Sequence, residues 1–147
     1  MTKLRQGGFL MSKIHQLSGR IFARMLKDYN IHDINPAQGR ILFVLWQQDN
    51  IPIQELAKRT ALGKSTLTRM LDTLEKSGHV VRVYPSDDRR KVLIRLTEKN
   101  KKMKTAYEQV SQDMTQLFYK GFQESEIDEF ESYLMRIYDN LLEHESH

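Results

Sequence analysis

The apolar periodicity of this chain changes character at Gly78. Before it, Leu67, Met70, Leu71 and Leu74 recur at three- and four-residue steps, which places them on one face of a helix over about residues 64–76. After it, Val80 to Tyr84 and Val92 to Leu96 are rich in β-branched residues. They flank Pro85-Ser86-Asp87-Asp88-Arg89-Arg90-Lys91, a stretch that suits water or phosphate and not a core. Two such runs joined by a polar tip predict a β-hairpin. Ser77-Gly78 fits the turn between helix and strand, because glycine takes the left-handed conformation past a helix end without steric cost. The chain is thereby restricted to folds in which an amphipathic helix leads straight into a hairpin with an exposed, charged tip.

The flanking segments read as helices. Apolar Leu10, Ile14, Leu17, Ile21 and Met25 mark one face of a helix over 9–29. Asn35-Pro36-Ala37-Gln38 is a helix start: Asn35 caps, Pro36 suits the first position, and Gln38 reaches back. That helix runs through Ile41, Leu42, Leu45 and Trp46. Ile51-Pro52-Ile53 reads as an extended link, followed by a short helix from Gln54 to Arg59 and a tight connection at Ala61-Leu62-Gly63. Thr97 caps a helix carrying Met103, Tyr107, Val110, Met114 and Leu117, which Gly121 breaks. In the last helix Ile127, Phe130, Leu134, Ile137 and Leu141 form two heptads of an a/d seam. Two heptads are too few for a free-standing coiled coil. They suffice for packing on another helix, in the same subunit or a second one.

The fold class is therefore mainly α with a small β-hairpin wing, an α+β winged helix-turn-helix. The expected organisation is one domain over 1–147. Residues 36–96 form the winged lobe, and 1–35 and 97–147 form a helical region from both termini.

Charge is distributed unevenly. Residues 1–53 carry 7 basic and 3 acidic side chains, residues 54–104 carry 14 and 6, and residues 105–147 carry 2 and 10. A basic middle with an acidic end predicts a local site for a polyanion. The absence of cysteine excludes a disulfide framework, a thiolate zinc site and a Cys nucleophile. No apolar run approaches the roughly 20 residues that cross a bilayer, and the N-terminus lacks the shape of a signal peptide. A cytoplasmic chain is expected.

Catalysis finds no convincing Ser/His/Asp set, so no enzyme is expected. His15, His32 and His79 are scattered and His144 and His147 sit at the terminus. None pairs with a carboxylate at a clear ligand spacing, so no metal and no cofactor are expected. Gly63-Lys64-Ser65 resembles the end of a phosphate-binding loop, but Lys58 stands where that motif needs glycine, and the segment follows a helix instead of a strand.

A helix that reads DNA must bury one face and offer the other to the major groove. Over 64–76, Lys64, Ser65, Thr66, Thr68, Arg69 and Thr73 lie off the apolar face. Small hydroxyl residues allow close approach, and an arginine bonds a guanine edge twice. Asp88, Arg89, Arg90 and Lys91 occupy the wing tip, where basic side chains suit a narrow minor groove. Lys58, Arg59, Arg82 and Arg95 are expected as secondary phosphate contacts. The same pattern is compatible with a winged helix that packs on a partner protein.

Together Asn35-Pro36-Ala37-Gln38, Gln54-Glu55-Leu56-Ala57, Ser65-Thr66-Leu67-Thr68-Arg69, Leu74-Glu75-Lys76-Ser77-Gly78, and Asp87-Asp88-Arg89-Arg90 with Leu96-Thr97 resemble the MarR family of bacterial regulators. The most specific part is Asp88 and Arg90 with Leu96-Thr97 after them. The resemblance implies a DNA-binding homodimer, with residues 64–76 in the major groove and Arg90 in the minor groove. It implies a transcription regulator, read here as a repressor on a near-palindromic operator. It also implies a small-molecule effector at the junction of the dimer helices and the winged lobe. The aromatic residues Phe22, Tyr29, Trp46 and Tyr107, with His15 and Arg20, are the candidates to line that pocket, core packing being the alternative for each ring. Two residues depart from the family's pattern, His79 after the glycine and Asn100 after Leu-Thr.

Overall fold

Asn35 caps α2 (Pro36–Gln47) as its sequence predicts. Its side chain accepts from the Gln38 N–H at 2.8 Å, and Gln38 Oε1 accepts from the Asn35 N–H at 3.0 Å. The reciprocal pair satisfies two donors that the helix start leaves open. In the computed structural model, which describes residues 3–87 and 90–146, the elements are α1 (Gly7–Asp28), α2, β1 (Ile51–Pro52), α3 (Ile53–Thr60), α4 (Lys64–Lys76), β2 (Val80–Val83), β3 (Leu93–Leu96), α5 (Glu98–Phe118) and α6 (Glu124–Glu145). The chain is mainly helical, with one small antiparallel sheet of order β1-β3-β2.

The hairpin is present with Val80 opposite Leu96 and Val83 opposite Leu93. Tyr84 and Val92 fall just outside the strands. The segment read as an extended link forms a third strand, with Ile51 opposite Ile94 and Pro52 opposite Leu93. Two residues are too few to show alternation, and a proline is tolerated there because β1 is an edge strand. Ile53 belongs to α3 and not to the link; its N–H donates to the Val92 carbonyl at 3.0 Å. Gly78 has the expected positive φ of 81°. Ala61, at the end of α3, also adopts a left-handed φ of 57°. Thr97 caps α5, its hydroxyl accepting from the Asn100 N–H at 3.1 Å.

Two compact units divide the chain, residues 1–110 and 111–147. The core of the first gathers Leu26 from α1, Ile41, Leu42 and Leu45 from α2, Leu56 from α3, and Ile94 from β3, all fully buried. Each such side chain contributes about 1.5–3 kcal/mol relative to exposure. In the second, α5 turns at Gly121 (φ 85°) into α6. Tyr119 meets Phe118, Phe122 and Phe130 edge-on and donates to Glu131 at 2.7 Å. Partial burial and the Glu131 carboxylate push its hydroxyl up to about 12. α6 has no fully buried residue.

Candidate nucleic-acid interface

The two faces of α4 are separated as the spacing predicts. Leu67, Leu71 and Leu74 are buried and Met70 is half-buried against the core. Lys64, Ser65, Thr68, Arg69 and Thr73 are exposed, and Thr66 is half-buried. No side-chain cap hydrogen bond is made at the helix start, Gly63, next to the exposed Lys64 and Ser65. That end carries a partial positive charge suited to an anion.

Of the wing residues, Arg90 and Lys91 are exposed at the hairpin tip, while Asp88 and Arg89 lie outside the described residues. The secondary cations separate into two groups. Lys58 is exposed on α3. Arg59 is exposed beside it and bonds Glu55 at 3.0 Å and Gln48 at 2.7 Å. Arg95 points from β3 to Asn50 Oδ1 at 3.2 Å. Arg82 is different. Its guanidinium donates to Glu75 at 2.7 Å and to Asp72 at 2.8 Å, with only 17% of the side chain exposed. Arg82, expected as a phosphate contact, is held in a clamp between β2 and α4. The sequence shows Asp72 and Glu75 one turn apart on α4, but only the register of β2 brings Arg82 onto them.

Of the expected pocket residues, the structure brings Phe22, Trp46 and Tyr107 together. Tyr107 is buried with Phe22 edge-on at 5.6 Å and Trp46 tilted at 4.6 Å between ring centroids. The three rings pack on one another, and burial raises the Tyr107 hydroxyl well above its ordinary value. His15, Arg20 and Tyr29 are exposed. A cleft of about 300 Å³, lined in part by Lys27, His32, Asp33 and Gln38, shares no residue with them.

His79 and Asn100, the two departures from the family pattern, meet in the interior. Both are fully buried, with Asn100 Nδ2 3.0 Å from His79 Nδ1. On its other side His79 Nε2 lies 2.8 Å from Asp33 Oδ2, and Asn100 Oδ1 accepts from Trp46 Nε1–H at 2.8 Å. Sequence reasoning found no signal for this set, whose hydrogen-bonded pairs lie 21 to 54 residues apart. Among the described residues, no group of His, Asp and Glu is arranged to hold a metal ion.

Residues 34–92 match the model of the MarR family. Over 86 residues the chain is 36% identical to the HTH-type transcriptional regulator TtmR of Methylorubrum extorquens, an overlap of 58% of this chain and 43% of that one. The chain spans less than two thirds of the length of the curated relatives it matches first. Its fold is similar to that of a MarR transcriptional regulator from Methanosarcina mazei Go1, with a TM-score of 0.80 at 21% identity over 97% of this chain and 94% of that one. It is also similar to a mutant MarR from E. coli complexed with operator DNA, with a TM-score of 0.72 at 28% identity over 92% of this chain and 99% of that one.

Proposed function

We propose that this chain, whose residues 34–92 match the model of the MarR family, is a sequence-specific DNA-binding transcriptional regulator. It acts in the cytoplasm as a homodimer on a near-palindromic operator, represses, and is relieved by a small molecule. The observation that carries the reading is the division of α4. Three leucines are fully buried, while the opposite face presents Lys64, Ser65, Thr68, Arg69 and Thr73 to solvent. That face enters the major groove, Arg90 and Lys91 approach the adjacent minor groove, and Lys58, Arg59 and Arg95 contact phosphates. The likeness to a MarR protein complexed with operator DNA supports this assignment.

Residues 36–96 serve as the DNA-binding lobe, and 1–35 and 97–147 as the dimerisation region. The exposed apolar side chains support that division. Phe9, Leu10, Ile14 and Leu17 on α1 are 66, 45, 48 and 50% exposed, and Ile137, Leu141 and Leu142 on α6 are 41, 65 and 48% exposed. Large apolar surface of this kind marks an association site, and a two-fold pair places two recognition helices about one DNA turn apart.

Selection from random duplex DNA tests the reading. It should enrich a near-palindrome with half-sites roughly 10 base pairs apart. Arg69→Ala should then cost about 1–3 kcal/mol in binding to that site and relax the base preference at one position per half-site. Recovery of no enriched sequence, with binding to an acidic protein instead, would replace DNA by a protein partner. Relief by a ligand is tested by release of the selected duplex in a screen of small molecules.

A further inference from the structure

The chain Asp33–His79–Asn100–Trp46 joins four parts of the fold by side chains alone. Asp33 lies in the loop before α2, His79 follows the end of α4, Asn100 sits in the first turn of α5, and Trp46 is on α2. The donor and acceptor roles are determined by its end. Indole Nε1–H only donates, so Asn100 must present Oδ1 to Trp46 and its NH₂ group to His79. His79 Nδ1 therefore accepts, and the ring proton is on Nε2, facing the Asp33 carboxylate. The backbone reinforces the contact. Thr97 N–H donates to the His79 carbonyl at 3.1 Å, and the Thr97 hydroxyl bonds the Gly78 carbonyl. The end of the recognition helix is thus tied to the start of α5.

We infer that His79 is a positioning residue for operator binding that works only as the neutral ring, holding α4 against α5 through Asn100 and releasing Trp46 when the ring takes a second proton. That proton goes to Nδ1, where the Asn100 amide already points a donor. Two donors cannot share the site, so the amide rotates to offer Oδ1 and withdraws the acceptor from Trp46. An indole N–H left without a partner on a half-buried side chain is costly, and the packing of Trp46 on Tyr107 must adjust. The charged groups facing the ring are Asp33, which favours the second proton, and Lys99 of α5. Lys99 lies 3.5 Å from Asp33, donates to the Ser77 carbonyl at 2.6 Å, and opposes that proton. Asn100, Thr97 and Trp46 contribute neutral groups only.

The DNA part of this inference rests on the operator-binding reading above, so the test has one arm that needs no DNA. Trp46 is the only tryptophan in the sequence, and its emission reports its own hydrogen bond. In this chain, emission should change reversibly as pH is lowered from about 8. Asp33→Asn should move the midpoint to lower pH, Lys99→Met to higher pH, and His79→Gln should abolish the change. The two exposed-site variants decide the matter if His79→Gln does not fold. Flat wild-type emission, or a midpoint that ignores both charge changes, overturns the relay. In the second arm, affinity for the selected duplex should fall about fivefold or more along the same titration, and not in His79→Gln. An emission change with operator affinity that tracks His79→Gln at every pH overturns the positioning role. Failure of every variant to bind any duplex sinks the DNA reading, while the emission arm passes or fails without it.

Discussion

A hydrogen atom at Gly39 is all that separates α2 from the Tyr107 hydroxyl. A Cβ placed there would lie 1.8 Å from the phenolic oxygen and 2.8 Å from the ring carbon that bears it. Gly39→Ala should therefore destabilise by about 1–3 kcal/mol, read as a lower urea midpoint at unchanged slope. Tyr107→Phe in the same chain should restore part of the loss, because the nearest clash disappears and the second remains.

Asp33 sets a second expectation at this scale. Partial burial raises its carboxyl. The hydrogen bond from His79, the His79 charge when that ring is protonated, the backbone N–H and Lys99 lower it, and lowering prevails. A carboxyl depressed in the folded state stabilises above its ordinary value of 3.8 and loses that contribution as pH falls through the folded value. Asp33→Asn should thus be less stable than wild type at pH 7. The difference should vanish in acid; a gap that persists unchanged at pH 2 would remove the ionic contribution.

At the scale of elements, the clamp between β2 and α4 is the clearest case. Arg82 offsets Asp72 and Glu75 on the same helix that carries Arg69. Removing a guanidinium from a phosphate changes the slope of log affinity against log salt by about 0.9. Arg82→Met should instead weaken operator binding with a slope change well below that, since the guanidinium is engaged by Asp72 and Glu75 and holds the wing strand to the helix. A full unit of slope would return Arg82 to the list of phosphate contacts. The helix, the hairpin and the reciprocal cap at Asn35 were legible because they depend on neighbours within a few residues. The third strand was not, because Ile51 and Pro52 become a strand only by lying along β3.

At the scale of the whole molecule, the proposed dimer rests on the exposed apolar side chains of α1 and α6. Ile137 and Leu141 stand four apart on α6, 41 and 65% exposed. Ile137→Glu with Leu141→Glu should convert a dimer into monomers in sedimentation at micromolar concentration, and operator affinity should fall with it. The fold of the isolated subunit should survive, because α6 contributes no fully buried side chain. A double variant that stays dimeric would move the interface elsewhere. The same proposal explains why the a/d seam of the last helix was readable while its occupant was not. Periodicity reports that a face is apolar, not which surface covers it.

Local order was decided by residue spacing. The leucines of α4 recur at the helical period, Gly78 is the residue that tolerates a positive φ, and the β-branched runs flank a tip too charged to bury. Each of these follows from steric and solvation rules that act over a turn or two of chain. The contacts that join separate elements were decided by tertiary structure: Arg82 on Asp72 and Glu75, Phe22 and Trp46 on Tyr107, and the line from Asp33 through buried His79 and Asn100 to Trp46. Hydrogen bonds and ring contacts act over a few ångströms. Partners on different elements come within that reach only when the core has closed around them.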